Sequence, residues 1–325
     1  MALKISSTYV APRWLPGGHT QTIYAYTCAK APRVETRRES WRTPDDDVIV
    51  VDCLDGPNTA PLLLLFHGLE GGGHSPYARS MFGAAQAAGW RMMLPHFRGC
   101  GGVANLLPRA YHSGDSAEAN WILRRARDIA GDAPMYAAGV SLGGNVLLKW
   151  LGEEGENAAQ LIRAAVAVSA PLDLNAAGNA LGRGFNMVYT RMFLATLIRK
   201  SMDKLERHPG IYEAERVQRA RTLREFDDVV TAPLHGFIDA EDYWTRSSSK
   251  PLLNTIRIPT LILNALNDPF LPASVLPREA EASNCVRLEY PETGGHVGFV
   301  SGTFRGHLQW LPNRIIDFLT QADSL

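Results

Sequence analysis

Residues 134–152, PMYAAGVSLGGNVLLKWLG, contain an apolar run, a tight turn and an amphipathic segment in that order. Met135–Val140 has the length and composition of a buried strand. The turn that follows carries a G-x-S-x-G pattern with Ser141 at its centre. Beyond the turn, apolar residues recur at helical spacing, at Val146, Leu147, Trp150 and Leu151. The stretch therefore predicts a strand–turn–helix unit that projects one serine.

Ser141 is a candidate nucleophile because such a turn, a nucleophile elbow, lifts the hydroxyl clear of the strand and the helix. A side chain at Gly139 or Gly143 would collide with the facing backbone, so both positions require glycine. The first amides of the helix favour negative charge beside the serine. The alternative is a glycine-rich turn that Ser141 caps without taking part in any chemistry.

The composition is that of a globular protein with a large core, because 46% of the 325 residues are hydrophobic and 20% are charged. Lys plus Arg and Asp plus Glu both number 33, which argues against binding to nucleic acid or to an acidic membrane. Four scattered cysteines without a C-x-x-C pair indicate free thiols in a reducing compartment; they are Cys28, Cys53, Cys100 and Cys285.

No stretch has the pattern of a signal peptide, and the longest apolar run, Leu62–Phe66, is far too short to span a bilayer. We therefore expect a soluble, cytoplasmic protein without a transmembrane segment. The oligomeric state cannot be predicted from these patterns.

Strands alternate with helices from residue 61 onward, a rhythm that predicts a mostly parallel sheet covered by helices on both faces. Residues 1–30 are expected to form an amino-terminal arm rather than a strand–helix unit. Residues 31–171 and 251–325 are expected to form the core. Residues 172–250 break the rhythm and predict a helical lid, with an ordinary helical extension as the alternative.

Several individual elements follow from periodicity and turn residues. Strands are expected at Val34–Trp41, Val48–Cys53, Pro61–Phe66, Trp90–Pro95, Ala164–Ser169, Ile258–Leu266 and Val286–Tyr290. Helices are expected at Tyr77–Ala88, Ser116–Ala130 with Asp115 as its N-cap, Met187–Leu205, Tyr212–Phe226, Val275–Ala282 and Leu311–Gln321.

The glycine-rich loop His67–Gly73 follows a buried strand and precedes a helix. It lacks the G-K-[ST] sequence of a phosphate-binding loop. It fits better as one half of an oxyanion hole, in which the Leu69 amide would pair with the Leu142 amide.

A nucleophilic serine needs a base to remove its proton and a carboxylate to hold the tautomer of that base. Asp268 and His296 each follow a later predicted strand, so they would meet Ser141 at the carboxyl edge of the sheet. Asp173 is a weaker alternative for the acid. His235 and His307 are weaker alternatives for the base, because neither lies in a glycine-rich loop after a strand.

Other candidate residues have simpler explanations. Asp45–Asp47 are expected to be solvated turn residues rather than metal ligands, because no partners at ligand spacing follow them. Cys100 is expected to be a small buried residue rather than a nucleophile. His19 is expected to make a structural hydrogen bond. We therefore expect no metal and no organic cofactor.

Taken together, the motifs resemble those of the YheT-like branch of the α/β-hydrolase superfamily, whose members are assigned as esterases. The matching stretches span nearly the whole chain: Trp14-Leu15 with Gly18–Thr22, HGLEGG, FRGCGG, YHSGD, GVSLGGN, NDPF at Asp268 and GGHVGF at His296. The resemblance implies an α/β-hydrolase fold with Ser141 as nucleophile, Asp268 as acid and His296 as base.

Two departures limit the resemblance. Asn267 stands where an acidic residue is common beside the triad acid. Eukaryotic members carry an amino-terminal membrane anchor that has no counterpart in residues 1–30, so their role in lipid chemistry does not transfer directly.

The expected function is a serine esterase acting on a small-molecule carboxylic ester, with short- to medium-chain acyl groups favoured. A thioesterase, a lipid or acylglycerol hydrolase and a non-catalytic ligand receptor on the same fold remain alternatives. Large apolar residues of the predicted lid are candidates to line an acyl pocket: Phe185, Met187, Tyr189, Met192, Phe193, Phe237, Tyr243 and Trp244.

Overall fold

A computed structural model of the chain describes residues 3–5 and 7–322, and within them nine strands form one sheet. The strands run in the spatial order β1-β9-β8-β7-β6-β4-β5-β3-β2. Neighbours from β1 to β5 pair in parallel, whereas β3 is antiparallel to β5 and β2 to β3. The strands are β1 Leu3–Ile5, β2 Arg37–Arg42, β3 Val48–Leu54, β4 Leu62–Phe66, β5 Arg91–Pro95, β6 Met135–Val140, β7 Ala165–Val168, β8 Thr260–Leu263 and β9 Val286–Glu289.

Helices cover both faces of the sheet, so the predicted fold class of a mostly parallel sheet flanked by helices is confirmed. The α-helices are α1 Gly18–Thr27, α2 Pro76–Ala87, α3 Ser116–Ala130, α4 Leu142–Glu154, α5 Leu174–Leu181, α6 Met187–Arg207, α7 Ala214–Arg219, α8 Leu223–Phe226, α9 Ala232–His235, α10 Ala240–Ser247 and α11 Trp310–Ala322. Short 3₁₀ turns and a π-helix, Asp227–Thr231, link some of them. No helix of these residues combines the length and apolar character needed to cross a bilayer.

The central strand β4 divides the core into two layers. Leu62, Leu64 and Phe66 contribute to the layer under α3 and α4, whereas Leu63 and Leu65 contribute to the layer under α2 and α11. All five side chains are buried, as expected for a strand of a parallel sheet with helices on both sides.

The amino-terminal prediction was wrong in its secondary structure, because residues 1–30 include a strand and a helix. Leu3–Ile5 pairs with β9 at the edge of the sheet, and Gly18–Thr27 is helical. A three-residue edge strand and a helix that begins with Gly and contains three Thr have weak local signals, so contacts with the rest of the chain decide both. Residues 1, 2 and 6 of the expected arm and 323–325 of the expected core lie outside the described residues.

Two predicted helices were also wrong. The segment Val275–Ala282 forms only short 3₁₀ turns, at Ala273–Val275 and Glu279–Glu281. Pro277 lies between these turns, and proline cannot supply the amide that an α-helix needs there.

The segment Tyr212–Phe226 is broken into α7 and α8. Thr222 stops a continuous helix, because its side chain accepts a hydrogen bond from the Glu225 amide and begins α8 as an N-cap. Asp115 caps α3 in the same way, as predicted.

Arg98 explains the acidic turn at Asp45–Asp47. Its buried guanidinium lies 3.0 Å from Asp45, 2.9 Å from Asp47 and 2.6 Å from Glu118. Burial alone would raise the pKa of Asp45, but the hydrogen bonds from Arg98 and Thr43 and the positive charge of Arg98 together outweigh burial and lower the pKa to about 2. These aspartates thus hold the loop after β5, and the prediction of solvated turn residues was wrong for the buried Asp47.

Replacement of Arg98 should therefore be costly. We expect Arg98→Met to lower the free energy of unfolding by about 3–5 kcal/mol, because it leaves buried carboxylates without their cation. Arg42→Met is the control: its ion pair with Asp46 is exposed and should contribute at most about 1 kcal/mol. Urea unfolding of both variants measures the difference, and equal losses would contradict a structural role for the buried cluster.

Candidate active site

Ser141 occupies the sharp turn between β6 and α4. Its backbone has φ 53° and ψ −122°, a left-handed conformation that costs energy for any residue other than glycine. The Ser141 amide donates to the Val168 carbonyl at 2.8 Å, which anchors the turn to strand β7. The predicted strand–turn–helix unit is present, with the serine in a strained conformation at its apex.

The two glycines of the elbow are required for the reason that the sequence suggested. A Cβ atom at Gly139 would lie 2.4 Å from the Gly143 carbonyl oxygen. A Cβ atom at Gly143 would lie 2.5 Å from the carbonyl oxygens of both Phe66 and His67. The elbow is thus in backbone contact with the end of β4 and with the glycine-rich loop that follows it.

The structure brings the predicted acid, base and nucleophile together. Nε2 of His296 lies 3.0 Å from the Ser141 hydroxyl oxygen, and Nδ1 lies 2.9 Å from a carboxylate oxygen of Asp268. An ionised carboxylate only accepts hydrogen bonds, so Nδ1 carries the proton and Nε2 is free to accept one. The Phe270 ring stacks on the imidazole at 4.1 Å, and the Phe270 amide donates to Asp268.

None of the alternative residues contacts this group in the described part of the chain. Asp173 is the N-cap of α5 and accepts the Ala176 amide. The His235 ring packs against the ring of His112. His307 pairs with Ser301 in a small bridge outside the main sheet. The geometry therefore favours Asp268 and His296 over their alternatives.

The glycine-rich loop contains an amide that has no acceptor among the described residues. The Gly68 amide donates to the Tyr77 hydroxyl and the Glu70 amide donates to the Tyr111 hydroxyl. Among residues 3–5 and 7–322, no group accepts a hydrogen bond from the amide of Leu69 or from that of Leu142. Both residues line the same cavity as Ser141 and His296.

His67 supports this loop from within the core. Its Nδ1 donates to the Gly68 carbonyl at 2.7 Å, and its Nε2 accepts the Phe97 amide at 3.0 Å. Burial lowers the pKa of His67 to about 3, so the ring stays neutral. With both nitrogens engaged, His67 is a structural residue.

The sequence analysis assigned no role to Glu70, Tyr111 or Lys200, three polar residues that are in contact through Glu70 at the glycine-rich loop. Glu70 accepts a hydrogen bond from Tyr111 at 2.8 Å and pairs with Lys200 of α6 at 2.8 Å. Cys100 lies 3.5 Å from the Lys200 amine, and burial, followed by the nearby Glu70 charge, raises the thiol pKa to about 12. The raised pKa keeps the thiol protonated and thus a poor nucleophile, but the side chain is half-buried rather than fully buried as predicted. The motifs HGLEGG and YHSGD were recognisable in the sequence, but the contact between them through Glu70 and Tyr111 could not be predicted from it.

A cavity of about 470 Å³ opens above Ser141. Its walls come from the glycine-rich loops at the carboxyl edge of the sheet and from residues 172–250, and most of the side chains are apolar. Of the eight large apolar candidates, Phe193, Tyr243 and Trp244 line the cavity. Phe185 and Met192 instead face solvent, with 54% and 53% of their surfaces exposed.

Comparisons with known proteins agree with this architecture. A family model described as the alpha/beta hydrolase fold matches residues 61–303. The Escherichia coli (strain K12) protein named "Putative esterase YheT" is 39% identical over 320 residues, which cover 97% of this chain and 94% of the relative. Human phospholipase ABHD3 is 30% identical over 309 residues, which cover 92% of this chain and 75% of the relative.

Solved structures share the fold at low sequence identity. An esterase of Pyrococcus furiosus superposes with a TM-score of 0.58 over 91% of this chain and 98% of its own. Its sequence identity of 15% makes this a likeness of fold alone.

The contact between Gly143 and the end of β4 can be tested directly. We expect Gly143→Ala to lower the free energy of unfolding by about 1–3 kcal/mol or more, because the new methyl group meets main-chain atoms that cannot move aside. The control is Gly182→Ala at the end of α5, where a Cβ atom would have ordinary contacts of 3.5 and 3.6 Å. Urea titration compares the two variants, and a Gly143→Ala protein as stable as the control would contradict the close approach.

Proposed function

The chain belongs to the alpha/beta hydrolase fold family, and on that premise we propose that it is a serine hydrolase that cleaves carboxylic esters through an acyl-enzyme intermediate. The observation that carries the proposal is the unbroken chain of contacts from Asp268 through His296 to Ser141. Leu69 and Leu142, whose amides are free, line the same cavity and support it. This arrangement supplies each group that acyl transfer requires and needs no metal or organic cofactor.

In the first half of the reaction, the Ser141 oxygen attacks the carbonyl carbon of the ester while Nε2 of His296 takes the hydroxyl proton. Asp268 holds the imidazole in the correct tautomer and stabilises the imidazolium that forms. The carbonyl oxygen gains the negative charge and accepts hydrogen bonds from the amides of Leu69 and Leu142. Proton transfer from His296 to the alcohol oxygen then releases the alcohol.

In the second half, water replaces the alcohol. His296 removes a proton from the water as the water oxygen attacks the acyl-enzyme carbonyl, and the same two amides stabilise the second oxyanion. Return of the proton from His296 to Ser141 releases the carboxylic acid and restores the enzyme. One ester and one water thus give one acid and one alcohol.

Residues 172–250 would act as a lid that completes an acyl pocket. Supporting this role, the cavity above Ser141 has helical residues of this segment as its outer wall and a size typical of small-molecule sites. The mostly apolar lining suits a hydrocarbon chain, so we propose short- to medium-chain acyl esters as substrates.

Phospholipid hydrolysis is the second candidate activity. The name of the human relative, a phospholipase, and the apolar cavity favour it. A panel of ester substrates with increasing acyl length, a thioester, a monoacylglycerol and a phospholipid distinguishes these activities. A protein that binds such molecules without turnover would instead be a ligand receptor.

The assignment of the nucleophile is tested with Ser141→Ala. This variant should lose ester turnover and labelling by a fluorophosphonate probe, because both need the same hydroxyl. The fold should be retained, since the variant removes a single partly exposed oxygen. Labelling measured on a gel and thermal unfolding provide the two readouts. Persistent labelling of the folded variant would place the nucleophile elsewhere.

The acyl pocket is tested by the ratio of kcat/KM for a medium-chain ester to that for an acetate ester. Phe193 lines the cavity, so Phe193→Ala should lower this ratio, by about 4-fold for each methylene whose contact is lost, or roughly 0.8 kcal/mol. Phe185→Ala is the control on the same segment, because Phe185 is exposed and does not line the cavity. Unchanged ratios in both variants would exclude Phe193 from the acyl site.

A further inference from the structure

The amino-terminal helix α1 contacts the loop that carries the proposed base. We propose that Thr22 and Gln21 of α1, together with Asn267, are positioning residues that hold His296 against Ser141 and Asp268. The inference rests on the proposed function of His296, and it gives a role to the Gly18–Thr22 motif.

Residues 291–299, around His296, form the histidine loop. Four of its consecutive amides, those of residues 294–297, donate to side chains from outside the loop. The Gly294 amide donates to Gln21 at 2.8 Å and the Gly295 amide to Asn267 at 2.9 Å. The His296 amide donates to the Thr22 hydroxyl at 2.8 Å. The next amide, that of Val297, donates to the Ser169 hydroxyl at 3.2 Å.

These acceptors replace the hydrogen bonds that regular structure would supply. The loop follows β9 and turns through left-handed conformations, with φ 62° at Gly295 and φ 57° at Val297. A backbone of this shape cannot pair with a neighbouring strand, yet buried amides need acceptors. The path of the loop, and with it the place of the imidazole, therefore depends on the side chains that accept these bonds.

Gln21 joins the acid and the base in one network. Its buried side chain donates to the Leu15 carbonyl at 3.0 Å, and its amide oxygen accepts from both Gly294 and Asn267. Asn267 directly precedes Asp268 and also accepts the Gly295 amide. The side chain of Asn267 is thus linked to α1 through its nitrogen and to the histidine loop through its oxygen. An acidic side chain at position 267 would lack the donor that reaches Gln21.

Glycines let α1 and the loop meet at backbone distance. A Cβ atom at Gly18 would lie 2.0 Å from the Asn267 carbonyl oxygen. A Cβ atom at Gly295 would lie 2.6 Å from the Gly18 carbonyl oxygen and 2.7 Å from the Thr22 hydroxyl. His19 takes no part in this contact, since its ring bonds to the Tyr189 hydroxyl at 3.1 Å and thus faces α6. The glycines before His19 and before His296 therefore serve one interface.

The decisive variant is Thr22→Val, which keeps the shape of the side chain but removes the acceptor for the His296 amide. We expect kcat to fall by about 10²-fold with KM unchanged, the loss typical of a small misplacement of a catalytic group. Thr22→Ser keeps the hydroxyl and should restore kcat. The low-field NMR signal of the His296 Nδ1 proton should shift or broaden in Thr22→Val and return in Thr22→Ser.

Thr27→Val is the matched control on the same helix. Thr27 donates to the carbonyl four residues before it, as Thr22 does, but makes no contact with the histidine loop. Its kcat should equal that of the wild type. Asn267→Ala removes a half-buried side chain and provides a second test if Thr22→Val does not fold. It should also lower kcat at constant KM.

The possible outcomes separate this inference from the proposed function. A kcat for Thr22→Val equal to that of Thr27→Val overturns the positioning role, as does a fall in melting temperature without a change in kcat or in the NMR signal. Failure of the proposed function is seen separately, as turnover that survives in Ser141→Ala. If Thr22→Val does not fold, an unchanged kcat in Asn267→Ala overturns the inference.

Discussion

The candidate active site depends on the backbone contact between the turn at Ser141 and the end of β4. Gly143 lies against the carbonyl groups of Phe66 and His67, at a distance that excludes even a methyl group. This contact forces the strained turn at Ser141 and brings the glycine-rich loop beside it. Because the loop begins where β4 ends, Leu69 lines the same cavity as Ser141. The sheet thus acts as the rigid platform that positions the other loops of the candidate site.

The irregular loops at this edge of the sheet are held by side chains that accept hydrogen bonds from the loop amides. Tyr77 and Tyr111 accept the amides on either side of Leu69, which leaves the Leu69 amide free for a ligand. In the loop around His296, the side chains of Gln21, Asn267 and Thr22 accept hydrogen bonds from successive amides. In both loops the absence of strand pairing is offset by specific polar groups, so the positions of Leu69 and His296 depend on residues distant in sequence.

The segment between β7 and β8 completes the site from above. Lys200 of α6 pairs with Glu70 at the edge of the glycine-rich loop, so the helical segment contacts the loop as well as enclosing the cavity. Phe193 and Trp244 contribute to the inner surface of this segment, whereas Phe185 contributes to its exposed surface. Amphipathic character alone does not separate these two groups, since the segment packs on the core at some positions and borders the cavity at others.

Local patterns in the sequence determined the elements whose causes are local. The elbow around Ser141, the continuous apolar strand β4 and the Asp115 cap of α3 all follow from residue types at fixed short spacings. Chain order, with strand ends meeting at one edge of a parallel sheet, was enough to select Asp268 and His296. Where neighbouring signals conflicted, as at Pro277 in the expected helix Val275–Ala282, periodicity alone misled.

Only the tertiary structure decided the features whose causes are distant in sequence. The strand Leu3–Ile5 exists because β9 offers a free edge, and α1 is placed by bonds to a loop more than 270 residues away. Arg98 draws Asp45 and Asp47 together although neither its spacing nor its surroundings in sequence indicate it. The physical reason is the same in each case: a buried polar group or an unpaired strand edge requires a partner, and the folded chain supplies that partner from any position in the sequence.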